Sequence, residues 1–263
     1  MTSLTSGLVQ EVAEGVFFYT IQIVNIVFIK TKNSIVLIDT GMPGSGRQII
    51  ELMERIFGSV THPGTIILIH GHFDHAGSVE QLLKRWHIPV YAYPLEIPYL
   101  TGKKSYPEPD GTVEGGLIAK LSPLFPNESI DLGDSVRPLP NDGSLPLLPG
   151  RRWIHTPGHT EGHISLFREK DRTLIAGDAF ITVRQDSLYK VLLQKQEIYG
   201  PPRYFTTDWE QAKASVAKLA GMDPYIAVTG HGLPLEGDEL EQGLAKLVKQ
   251  FDTMARPDYG KFV

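Results

Sequence analysis

Residues 66–78 read IILIHGHFDHAGS: an apolar run stops at three histidines and an aspartate within six residues. A run of four consecutive Ile and Leu residues is a short, fully buried strand rather than a surface one. The fold must therefore deliver the end of an interior strand to a polar cleft. The same arrangement recurs: LIAGD ends at Asp178, IAVTGH ends at His231, and RRWI is followed by HTPGHTEGH. Strand ends that carry polar residues build sites along one edge of a sheet, a common feature of α/β proteins.

The segments between these points support a layered α/β chain. VFFYTIQIVNIVFIK and SIVLIDTG, joined by TKN as a turn, are strand-rich over residues 16–39. Ile49, Ile50, Met53 and Ile56 have helical spacing, and Gly58 is a stop signal. A helix over 77–87 with Ser78 as N-cap leads into the strand IPVYAY. RRWIHT, HISLFRE and RTLIAGD read as strands, 208–220 as a helix, YIAVTG as a strand and 237–255 as a closing helix. Residues 94–150 contain ten of the 19 prolines and no long periodic pattern. They read as an irregular insertion with two short helices, inside one domain over 1–263. A segment of this kind is usually functional, and its apolar content argues against a linker. It is expected to fold over the cleft as a lid, with Ile97, Tyr99, Leu117 and Phe125 lining an apolar pocket. Simple packing on the scaffold is the competing reading.

Composition excludes several partners. The net charge is -5 and the longest basic cluster is the pair Arg151-Arg152, so there is no footprint for nucleic acid. There is no cysteine, which removes disulfides and thiolate metal sites. The N-terminus lacks the basic start and apolar core of a secretory signal, and no run approaches a membrane span. The expectation is a cytoplasmic protein with a small-molecule substrate and no membrane partner, with homodimer formation left open.

Imidazole and carboxylate without thiolate suit zinc, with iron and manganese as neighbours. His70 and His72 are two apart and can face one ion from an extended segment. Asp74 and His75 begin the turn into a helix and can face a second ion. Further ligands must come from elsewhere, and His159, Asp178 and His231 are the candidates. His62, His87 and His155 read as surface or packing residues.

Taken in order, IDTG at 38–41, HGHFDH, TPGHTEGH, AGDAF and TGHG resemble the motifs of the metallo-β-lactamase-fold hydrolase superfamily over roughly residues 16–235. The resemblance implies an αββα sandwich with two zinc ions. It would give one ion His70, His72 and His159, the other Asp74, His75 and His231, with Asp178 bridging. It makes Asp39 the group that orients a ligand imidazole, although an Asp before Thr-Gly is also a turn former. His163 then supports the site rather than ligating. Two cations about 3.5–4 Å apart share a water, lower its pKa and polarise a carbonyl, with Asp74 as the proton shuttle. The implied reaction is hydrolysis of a lactone or thioester.

Subfamily patterns narrow this further. The bridging Asp178 and the missing signal argue against a β-lactamase acting on amides. Glyoxalase II-type thioesterases carry a longer helical region than the 32 residues after His231. Acyl-homoserine lactonases are similar in length, in Phe73 and in Asp178, but place a catalytic Tyr where Ile181 stands. Tyr189, Tyr199 or Tyr204 would have to substitute. A mononuclear iron enzyme oxidising persulfides is the alternative from another reaction class.

Overall fold

The computed structural model describes residues 2–59, 61–184 and 188–263. Strands β1 (Val9–Ala13), β2 (Val16–Ile21), β3 (Val24–Lys30) and β4 (Ile35–Ile38) form an antiparallel meander. Strands β5 (Thr65–Ile67), β6 (Val90–Ala92) and β7 (Val136–Pro138) add to it in parallel, completing a seven-stranded sheet in sequence order. The second sheet starts with the antiparallel strands β8 (Arg151–His155), β9 (Ile164–Arg168) and β10 (Thr173–Gly177). A separate hairpin, β11 (Ile181–Val183) with β12 (Gln196–Tyr199), interrupts it. Strands β13 (Ile226–Thr229), parallel to β10, and β14 (Leu235–Glu236) then finish the second sheet.

Side-chain alternation divides each central strand between two cores. In β3 and β4, Ile26, Phe28, Ile35 and Leu37 face an outer core, where helices Gly46–Phe57 and Val79–Trp86 pack. Val27, Ile29, Val36 and Ile38 face inward, where they meet Ile164, Leu166, Ile175 and Val228 of the second sheet. Leu174, Ala176 and Ala227 face the other way, onto helices Trp209–Ala220 and Gly237–Lys249. Two helical layers thus enclose two sheets, which is the αββα sandwich. Both sheets are covered on each face, so their strands read as continuous apolar runs. No helix among the described residues is long and apolar enough to cross a membrane.

Several details differ from the sequence reading. Ser78 does sit before its helix, but its hydroxyl makes no cap bond. It accepts from Ser45 N–H and donates to the Met42 carbonyl, joining two helix starts. The closing helix breaks at Gln250 and resumes over Phe251–Met254. Residues 94–150 contain the two short helices, Ile97–Leu100 and Gly116–Leu121, and also β7. Leu139, Leu145 and Leu148 from the same stretch join the inter-sheet core, so much of it is scaffold.

Candidate metal centre

The polar motifs converge because each follows a strand that ends at the same edge of the sandwich. His70 lies just beyond β5, Asp178 directly after β10, and His231 beyond β13. His159 is carried by the loop between β8 and β9. His72 precedes a single helical turn, Phe73–Ala76, that holds Asp74 and His75. The two sheets touch here, where Ile164 N–H donates to the Ile69 carbonyl at 3.2 Å.

Three overlapping groups result: His70, His72 and His159; His70, His75 and Asp178; Asp74, His75 and His231. Within each, the ligand atoms lie within 4.8 Å of one another. Asp178 Oδ2 is central, 3.5 Å from His75 Nε2, 3.5 Å from His159 Nε2 and 3.4 Å from His231 Nε2. Asp74 Oδ2 is 3.5 Å from His231 Nε2. All seven side chains are buried. Both ring nitrogens of His70, together with His75 Nε2 and Asp178 Oδ1, are buried without a hydrogen-bond partner. A buried polar atom left unpaired costs about 1–3 kcal/mol, so this cluster fits a cage for cations.

The hydrogen bonds behind the cage set the tautomers. His75 Nδ1–H donates to Asp39 Oδ2 at 2.8 Å, and His231 Nδ1–H to the Ile23 carbonyl at 2.8 Å. Thr206 gives its proton to the Pro202 carbonyl, so it accepts from His159 Nδ1–H at 3.2 Å. In each case Nε2 is left as a lone pair aimed into the cage, the usual arrangement behind metal-binding imidazoles. His163 is different. Its Nε2 accepts the Asp178 backbone N–H at 2.9 Å, and its Nδ1–H points to Thr156. With both nitrogens engaged, His163 holds the Asp178 backbone and has no lone pair for an ion.

Burial keeps His70, His72 and His159 neutral, with His72 brought down to about 3. Burial also opposes charge on His75 and His231, but Asp178 and Asp74 outweigh it and raise both. Asp178 is held well below the carboxylate range because His231 and His75 outweigh its own burial. Protons here take the place that cations would occupy.

Two clamps were not visible in the sequence. Glu96 is fully buried, and its carboxylate joins both ligand loops. One oxygen accepts from Gly71 N–H and Tyr106 O–H, the other from Thr160 O–H and Gly162 N–H. Burial raises its pKa and these donors partly offset the rise. Asn25 in β3 donates to the carbonyls of Thr229 and Gly232, at 3.0 and 2.6 Å, and so fixes the His231 loop.

Two cavities open at the centre. One, about 370 Å³, is bordered by His72 and His159 and by polar groups such as Lys104, Ser105, Glu161 and Thr207. The other, about 140 Å³, is bordered by Asp74 and apolar side chains. Phe73 and Phe125 line the apolar cavity, and Tyr204 borders both. The other pocket and tyrosine expectations need correction. Leu117 is 59% exposed and Ile118 takes its place, because successive helical residues point about 100° apart. Ile97 packs on the outer core of the first sheet. Tyr99 stacks on Tyr106 with ring centroids 4.0 Å apart and borders the polar cavity. Tyr189 is 69% exposed, and Tyr199 is buried in β12 against Arg184 and Arg203, bordering neither cavity. His62 and His87 are exposed, and His155 stacks on Tyr93 at 4.4 Å.

Comparison with known proteins agrees with this fold. The chain is 48% identical over 257 residues, covering 97% of each sequence, to a Bacillus subtilis protein named probable metallo-hydrolase YflN. Among solved structures, TTHA1623 in a di-iron-bound form is 25% identical, with a TM-score of 0.55 over 81% of this chain and 89% of that one. BJP-1, a subclass B3 metallo-beta-lactamase of Bradyrhizobium japonicum, shares the fold at 21% identity, with a TM-score of 0.61 over 94% of both chains. The sequence profile of the metallo-beta-lactamase superfamily matches residues 19–231, and the chain belongs to that superfamily.

Proposed function

We propose that this chain is a hydrolase that holds two divalent cations, zinc by its donor set, and cleaves a small carbonyl ester such as a lactone or thioester. The observation that carries the reading is the buried cage in which His70, His75 and Asp178 keep unpaired polar atoms. In this reading His70, His72 and His159 hold one ion, and Asp74, His75 and His231 the other. The central position of Asp178 Oδ2 supports its contact with both. Bound there, such cations supply a water of lowered pKa and positive charge for a developing oxyanion.

The chain's own groups do the rest. Asp39, Thr206 and the Ile23 carbonyl hold three imidazoles in the tautomer that faces the cage. Tyr106 and Phe205 lie against the His72 ring, each with centroids 4.5 Å away, and keep water off its faces. Asp74 borders both the cage and the apolar cavity. In this reading it passes a proton to the departing oxygen or sulfur, which its position beside both supports.

The test combines elemental analysis with turnover. Zinc, iron and manganese are measured together, since a relative has been solved in a di-iron-bound form. Two equivalents in total and hydrolysis of at least one member of a lactone and thioester panel are expected. His159→Ala should retain one equivalent and lose several orders of magnitude in rate. Asp178→Ala should weaken both ions together. One equivalent in the unmodified protein, or no turnover across the panel, would count against the proposal.

A further inference from the structure

The apolar cavity of about 140 Å³ is walled by Ile23, Phe73, Ile118, Phe125 and Val191. Asp74 is the only charged side chain among the described residues that line it. These walls belong to a fourth apolar cluster, outside the sandwich, in which Val183, Val191, Tyr204 and Phe205 are buried. Tyr204 and Phe205 border the polar cavity as well, so together they form the partition between the two spaces. The polar side is larger, about 370 Å³, and Lys104 there is paired with Glu161.

Size and lining decide what each space can take. An apolar cavity of about 150 Å³ stays dry and holds a molecule as large as benzene. We infer that the smaller cavity receives one apolar substituent of the scissile ester, of about six carbon atoms, while the rest of the substrate lies in the polar cavity. This rests on the hydrolase reading above and specifies its substrate: an ester or thioester with one short apolar arm and one polar, size-tolerant arm. Burying one methylene is worth about a fourfold change in an equilibrium constant, and overfilling a packed space is unfavourable. Selectivity should therefore rise with the length of that arm and then fall once the cavity is full.

The experiment uses the metal-loaded enzyme and two thioester series. In one the acyl group grows from two to ten carbons on a fixed polar thiol; in the other the thiol side grows while the acyl group stays acetyl. In one series kcat/KM should climb about fourfold per methylene, peak near six carbons and then fall. The other series should vary only a few-fold. Ile118→Ala should shift the peak toward longer chains and Val191→Phe toward shorter ones, both with the metal content of the unmodified enzyme. If neither variant moves the peak, or if both series or neither shows one, the inference is overturned. Hydrolysis of the short thioesters with a flat profile removes this inference alone. Failure to hydrolyse any member overturns the inference, and if the lactones of the panel above are also inert the hydrolase reading goes with it.

Discussion

At Gly230 a Cβ would overlap the Asp178 carboxylate and crowd the His75 ring. The residue is glycine because the backbone passes against the cage, not because its φ requires it. Gly230→Ala should displace Asp178 and weaken metal binding roughly 10- to 100-fold, the usual scale for disturbing the groups behind a metal ligand. Chelator competition measures this, and an unchanged affinity would show that the loop gives way instead. Asp39 combines two readings that seemed to compete. Its φ of 58° is the left-handed turn that Asp before Thr-Gly suggests, and its two oxygens serve Ile69 N–H and His75. That left-handed backbone is accessible to Asp and costly for most other residues. Within the cage, His70, Asp178 and His231 were legible because each closes an apolar run, and His72, Asp74, His75 and His159 because they cluster with other polar residues just after such a run. Leu117 was not, since a six-residue helix with two apolar neighbours does not say which one points inward.

Among elements, the loops matter more than the strands that carry them. The loop with His70 and His72 and the loop with His159 come from different sheets, and the buried Glu96 links them through four donors. Glu96→Gln replaces one acceptor oxygen with an NH₂ group. With the NH₂ on the side of Thr160 and Gly162, Thr160 can rotate its hydroxyl but Gly162 keeps an N–H with no acceptor; on the other side Gly71 N–H is left with the Tyr106 hydroxyl, 2.9 Å away, as its one acceptor. The expected loss is about 1–3 kcal/mol of unfolding free energy, read by denaturant titration of the metal-free protein, with weaker metal binding in parallel. A stability equal to that of the unmodified chain would mean that water replaces the carboxylate. Strands β2 to β5 and β10 were readable because their patterns are local. Strand β7, only three residues long and ending in Pro138, carries too little pattern to be read and exists because β6 offers an edge. Glu96 and Asn25 were unreadable for a related reason: their partners lie in distant segments.

At the scale of the molecule, the cage spans a seam. His70, His72, Asp74 and His75 belong to the first sheet's connections, and His159, Asp178 and His231 to the second's. An ion bound between them ties the halves together, so stability should follow metal concentration. At a free concentration a hundredfold above Kd, each site adds about 2.7 kcal/mol. For a chain of this size that is on the order of 5–10 °C in Tm per site, seen by comparing chelated and reloaded protein in a thermal melt. No shift would place the ions outside the seam. Neither half of the chain holds a complete ligand set, and the contacts that join them are distant in sequence, so a large loop-closure cost precedes their formation. A cobalt ion supplied during refolding would therefore take on its bound spectrum only when the sheets have docked, and its colour would serve as a clock for the last step of assembly.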